Sequence, residues 1–143
     1  MMGRYEFLIN RPAQRIREIT GKTLAPLKIS PKQYGVLATL DSEGPLSQRD
    51  IGEMLKIDRT TMVTLIDGLE GMSLLVRDDH PKDRRYYLLH LTPAGKKLYK
   101  EAHILILKAE EEFLRPLSKN ERQTLRESLS KLFSHIPRLE GGH

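Results

Sequence analysis

The sequence predicts a mainly α-helical chain interrupted by one small β-hairpin, and three observations lead there. Helix-start signals recur along it, at Ser30-Pro31, Ser47, Asp58, Thr92-Pro93 and Ser118. Apolar residues behind those starts return at spacings of three and four, the period of an amphipathic helix. Two β-prone runs, Leu74-Leu75-Val76-Arg77 and Arg85-Tyr86-Tyr87-Leu88-Leu89-His90-Leu91, flank a polar stretch containing Pro81. The chain has 143 residues, 38% of them hydrophobic and 30% charged, the composition of one folded domain with an extension.

Taken in order, the first helix has two candidate starts. Asn10-Arg11-Pro12 could open it, or helix begins upstream around Phe7, Leu8 and Ile9 with Pro12 as a kink. Ile16, Ile19 and Thr23 then share a face until Pro26. Ser30-Pro31-Lys32-Gln33 opens a second helix, with serine as cap, proline at the first position and glutamine reaching back. Tyr34, Leu37 and Leu40 form its inner stripe, and Gly44-Pro45 ends it. Ser47-Gln48-Arg49-Asp50 resembles a capping box with Asp for the usual Glu, followed by Ile51 and Leu55 on the inner side.

A tight turn at Lys56-Ile57 leads to Asp58, which caps a helix whose apolar positions are Met62, Leu65, Ile66, Leu69 and Met72. Two short helices so joined satisfy the requirements of a helix-turn-helix. The β-hairpin that follows, with residues 78–84 as its tip, makes this a winged helix. Thr92-Pro93 starts a long helix through Leu98, Ala102, Leu105, Ala109 and Phe113 to about Arg115-Pro116. Ser118-Lys119-Asn120-Glu121 is a full capping box opening a last helix with Leu125, Leu129, Leu132 and Phe133, ended by Pro137; Leu139 to His143 read as a frayed tail.

The bulk counts exclude several function classes. No run approaches the roughly 20 apolar residues of a membrane span, and Ile104 to Leu107 is a run of four. The opening MMGRYEFLIN lacks a secretory pattern, so a cytoplasmic protein is expected. The absence of cysteine removes disulfides, thiolate metal sites and thiol switches together. His80, His90, His103, His135 and His143 do not stand at metal-ligand spacings, so neither metal nor other cofactor is expected. The net charge of +5 is a weak pointer to an anionic partner, because residues 45–92 carry 7 basic and 8 acidic side chains. Any nucleic-acid binding by that segment must come from local placement of charge, with cations at Arg59 and the wing tip and the acids Asp67, Glu70, Asp78 and Asp79 mostly placed away from the groove.

The order of elements resembles the MarR family of winged helix-turn-helix transcriptional regulators over nearly the whole chain. The most specific stretch is Asp83-Arg84-Arg85 followed by Leu91-Thr92-Pro93-Ala94-Gly95. Supporting stretches are Leu46-Ser47-Gln48-Arg49-Asp50-Ile51, Asp58-Arg59-Thr60-Thr61, Leu65-Ile66-Asp67-Gly68-Leu69-Glu70 and Ile29-Ser30-Pro31-Lys32-Gln33-Tyr34. The resemblance implies a homodimer that straddles a pseudo-palindromic double-stranded DNA operator. It divides the chain into an N-terminal dimerisation helix (1–29), a DNA-binding winged helix-turn-helix (30–92) and C-terminal dimerisation helices (93–143). Residues 104–107 are apolar all round their helix, which a single neighbouring face could not bury.

The candidate DNA contacts follow from these placements. Arg59, Thr60, Thr61 and Thr64 lie early on the recognition helix, where short side chains let it sit close in the major groove. Thr64 and Gly68 occupy positions often basic in the family, so few side chains are left for base reading. Gly68 and Gly71 also weaken that helix. Lys82, Asp83, Arg84 and Arg85 form the wing tip. By resemblance, Asp83 holds Arg85 for entry into the minor groove, where one arginine reads shape. Gln48 and Lys32, at helix starts, are candidate phosphate partners.

For an effector, the resemblance implies an aromatic or phenolic acid in a crevice between dimer helices and winged helix, with Arg15 and Tyr34 as the residues to pair and stack with it. Zinc sensing is not expected, since residues 31–42 contain no His or Glu, and a purine-type ligand lacks the tryptophan it would need. The expected role is that of a repressor released by a small molecule. A protein-interaction adaptor on the same fold is the alternative, and would leave Lys82, Arg84 and Arg85 expendable. No nucleophile–base pair, phosphate loop or paired carboxylates suggest an enzyme.

Overall fold

The computed structural model describes residues 3–135. Six helices and three short strands follow one another as α1 (Tyr5–Leu24), α2 (Pro31–Glu43), β1 (Leu46–Ser47), α3 (Gln48–Leu55), α4 (Arg59–Gly71), β2 (Leu75–Asp79), β3 (Tyr87–Leu91), α5 (Pro93–Phe113) and α6 (Lys119–Ser134). The mainly helical architecture with one small sheet is the expected one.

Helix α1 takes the earlier of its two candidate starts, at Tyr5, and Pro12 lies inside it. There the proline ring has no N–H to donate to the carbonyl of Leu8, one turn back. A 3-10 turn over Ala25–Leu27, with Pro26 in its first positions, closes the helix, and Lys28 turns the chain at φ 61°. The caps read from the sequence are in place. Ser30 and Gln33 form a reciprocal capping box at α2, as do Ser118 and Glu121 at α6. Asp58 caps α4 and Thr92 caps α5 through single side-chain acceptors. At α3 only half of the expected box forms: the Ser47 hydroxyl accepts from the Asp50 N–H, without a return bond from Asp50 to the Ser47 N–H.

Residues 46–47, read only as a helix approach, form a third strand. The sheet order is β1-β3-β2, all antiparallel, with Leu46 opposite Leu89 and Leu75 opposite Leu91. The hairpin also shifts from its expected bounds: β2 runs on to Asp79 and β3 starts at Tyr87. An edge strand with one solvated side tolerates charged residues such as Asp78 and Asp79.

The core lies where α2, α3, α4 and the sheet meet the first half of α5. Val36, Leu37, Ile51, Met62, Ile66, Leu69, Leu75 and Leu89 are essentially inaccessible, each worth roughly 1.5–3 kcal/mol of burial. Met72, expected in the same stripe, lies at the α4 end and is exposed. On α5 the buried positions are Gly95, Ala102 and Ile106, so Leu105 is one step off the stripe and exposed. Gly95 is required at the α5 start: a Cβ there would lie 1.9 Å from the Leu74 carbonyl oxygen.

Helix α6 buries no side chain in the single chain. Leu125, Leu129, Leu132 and Phe133 remain exposed, as do Ile104 and Leu107 on α5 and Tyr5, Phe7, Leu8 and Ile9 on α1. Exposed apolar faces on three helices are of the kind that marks an interface. The expected stop at Pro137, the tail from Leu139 and His143 lie outside the described residues.

Candidate nucleic-acid interface

The helix-turn-helix is built by α3 and α4. Lys56 turns the chain in the left-handed conformation (φ 57°), and the Ile57 N–H closes back on the Gly52 carbonyl at 2.9 Å. Asp58 then accepts from the Thr61 N–H at 3.2 Å through one oxygen and from the Thr61 hydroxyl at 2.8 Å through the other. These bonds hold its carboxyl below the usual range. The Thr61 hydroxyl is therefore engaged in the cap, while Arg59, Thr60 and Thr64 stand exposed. Thr64 lies 3.5 Å from the carbonyl of Thr60.

One acidic residue departs from its expected place. Asp67 follows Thr60 by two turns and shares its exposed face instead of turning away. Its charge is met by Arg77 of β2, whose guanidinium lies 2.6 Å from Asp67 and 3.5 Å from Glu70. Arg77 thus joins β2 to α4 and offsets both acids of α4. Gly68, which the sequence marks only as a weak point in the helix, faces the Gln33 side chain: a Cβ would come within 2.9 Å of its Nε2. The glycine leaves room for the group that completes the α2 cap.

The wing tip is organised by short-range bonds. His80 Nδ1 accepts from the backbone N–H groups of Lys82 and Asp83, both at 3.1 Å. Asp83 in turn accepts from the Arg85 side chain through both oxygens, at 3.0 and 2.8 Å, and from the Arg85 N–H at 3.1 Å. Those bonds hold the Asp83 carboxyl down to about 2. Arg85 keeps 80% of its side-chain exposure against 30% for Asp83, so the clamp fixes the direction of an arginine without burying it. The Asp83–Arg85 pairing is the one expected, and Lys82 and Arg84 stand exposed beside it.

Two contributors were not singled out from the sequence. The Arg85 guanidinium lies over the Tyr86 ring, 5.5 Å from its centroid. The Tyr86 hydroxyl accepts from Arg49 of α3 at 3.0 Å, and Arg49 also pairs with Glu53 at 3.3 Å. A chain of contacts therefore runs from α3 to the wing-tip arginine. Its members are 36 positions apart in sequence, beyond the reach of any local pattern. Gln48, half-buried, and Lys32, exposed, sit at the starts of α3 and α2.

The two candidate ligand residues are not joined. Arg15 pairs with Glu18 on its own helix at 3.5 Å. Tyr34 instead meets α5, its hydroxyl 3.1 Å from His103 Nδ1 and its ring stacked on Tyr99, which stacks on His103. Burial, together with Tyr99 and Glu110, pushes the Tyr34 phenol up to about 12. No helix among the described residues is long and apolar enough to cross a membrane.

Comparison with known proteins agrees with this geometry. The MarR family model matches residues 29–87. A Thauera aromatica protein named for regulation of the hcr operon is 33% identical over 105 residues, which are 73% of this chain and 63% of that protein, so the chain spans less than two thirds of its length. The transcriptional repressor CouR, solved bound to a 23-mer DNA duplex, is 30% identical with TM-score 0.85, covering 92% of this chain and 96% of that one. BpsR of Bordetella bronchiseptica, whose DNA binding is regulated by 6-hydroxynicotinic acid, is 28% identical with TM-score 0.85, covering 96% and 97%. The chain belongs to the MarR family of winged helix-turn-helix transcriptional regulators.

Proposed function

We propose that this protein is a cytoplasmic homodimer that binds a pseudo-palindromic operator and represses transcription until a small molecule releases it. The observation that carries the reading is the wing-tip clamp, in which Asp83 presents an exposed Arg85 in a fixed direction. A solvated surface pair worth little to stability is well suited to this task, because the arginine remains available to a narrow minor groove. Thr60 and Thr64, with Arg59, meet the major groove beside it; Lys82, Arg84, Gln48 and Lys32 bear on phosphates. Residues 1–29 and 93–143 supply the two-fold contact, burying the apolar faces of α1, α5 and α6. The recognition helices then meet successive major grooves, roughly 34–36 Å apart. Its work is binding and carries no chemical step.

For the effector, we take an aromatic acid entering between α2 and α5, where Tyr34, Tyr99 and His103 already stack, with Arg15 as the candidate carboxylate partner. BpsR supports this class, since its regulator is such an acid. Fluorescence anisotropy on DNA upstream of the protein's own gene tests the reading. Wild type gives a salt-dependent, sequence-preferring signal and Arg85→Ala loses most of it. An unaffected variant, or no preference over random DNA, would overturn the reading.

A further inference from the structure

Base edges are ordinarily read by a small set of side chains: Arg or Lys for guanine, Asn or Gln for adenine, Asp or Glu for cytosine. Helix α4, RTTMVTLIDGLEG, has no Asn, Gln, Lys or His. Arg59 at its first position is its only cation, and both of its acids, Asp67 and Glu70, are met by Arg77. The Thr61 hydroxyl is engaged by Asp58. The exposed face that remains is formed by Thr60, Val63, Thr64 and Asp67.

Val63 is the informative member. It is 42% exposed on a helix whose inner face is already filled by Met62, Ile66 and Leu69, so it adds little to the core. A β-branched residue also brings lower helix propensity than alanine or leucine. The methyl groups of Val63, Thr60 and Thr64 lie along one face, and the C5-methyl of thymine is the apolar feature on the major-groove edge. We propose that α4 reads its operator through thymine methyl groups, with Val63 as a residue that determines specificity. This rests on the DNA-binding function proposed above. Arg59 adds a guanine or phosphate contact at one end, and the methyl face supplies the rest of the discrimination.

The test uses the full-length protein and DNA sites that it selects from a random duplex pool. In one selected site, each half-site thymine is replaced singly by deoxyuridine, which removes only the methyl, and affinity is read by anisotropy. One or more positions lose about fourfold, the worth of one buried methyl group. Val63→Ala abolishes the penalty at one such position with the salt slope unchanged. Val63→Thr, which retains a γ-methyl, keeps most of it, and circular dichroism verifies the fold of both variants. Selected sites insensitive to uridine at every position would overturn the proposal, as would Val63→Ala retaining every penalty. Failure to select any sequence would refute the function itself, a distinct result.

Discussion

Two glycines give substitutions of opposite sign. At Gly95 an added Cβ would lie 1.9 Å from the Leu74 carbonyl oxygen, 2.9 Å from its carbon and 3.3 Å from its Cα. The obstacle is backbone, and that backbone is engaged: the Thr92 N–H donates to the same Leu74 carbonyl at 3.1 Å, and the Thr92 hydroxyl donates to Ser73 at 2.6 Å. Moving the new carbon out to 3.0 Å needs a separation of about 1 Å between α5 and the base of the wing, at the upper end of overpacking costs, about 3 kcal/mol. At about 3 °C per kcal/mol for a chain of this size, Gly95→Ala lowers Tm by about 9 °C. Gly71, at the end of α4, has nothing within 4 Å of its would-be Cβ. Gly71→Ala therefore gains up to about 1 kcal/mol of helix propensity and raises Tm by up to about 3 °C. Differential scanning calorimetry at fixed protein concentration measures both. A Gly95→Ala protein within about 1 °C of wild type would refute the close-approach argument.

Further outcomes follow from the wing. Tyr86→Phe removes the bond to Arg49 but keeps the ring under Arg85, and lowers operator affinity about threefold with Tm unchanged; anisotropy and calorimetry measure the two. Lys82→Ala removes one phosphate contact from each protomer, so it weakens binding evenly across DNA sequences and reduces the slope of log affinity against log salt by about two. The Asp83 carboxyl, held at about 2 by hydrogen bonds from the Arg85 side chain and backbone, lies below its ordinary unfolded value near 3.9. Its stabilisation of the clamp is complete above that ordinary value and is lost as pH falls through about 2. Asp83→Asn accordingly weakens binding throughout pH 5–8 without changing the shape of the pH profile. A step in wild type that the variant lacks would contradict this.

How far the sequence could be read depends on the range of the interaction. Caps such as Ser30, Asp58, Thr92 and Ser118 act over three residues, so their types and spacing are visible in the string, and each is found in place. Asp83 and Arg85 are two residues apart, and the clamp is legible for the same reason. Strand β1 is two residues long and pairs with Leu88 and Leu89 some forty positions later, too short for any period to register. The role of His80 is hidden because an acceptor nitrogen for two amides leaves no pattern of its own. On α5, Leu105 and Ile106 are equally apolar neighbours, and only the packing of α5 against α1 and α2 shows which one turns inward. Asp67 reads as an acid to be kept from DNA, yet Arg77, ten residues on, offsets it in place.

The central claim is that Arg85 enters the minor groove at both ends of a two-fold operator. The chain contains no cysteine, so Pro81→Cys, beside the wing tip, gives one attachment point for an iron–EDTA cleavage reagent. On bound operator DNA the conjugate should cut both strands at two sites placed symmetrically outside the half-site grooves, with the strand offset of minor-groove attack. Cleavage between the half-sites, a major-groove offset or a single cut site would contradict the account.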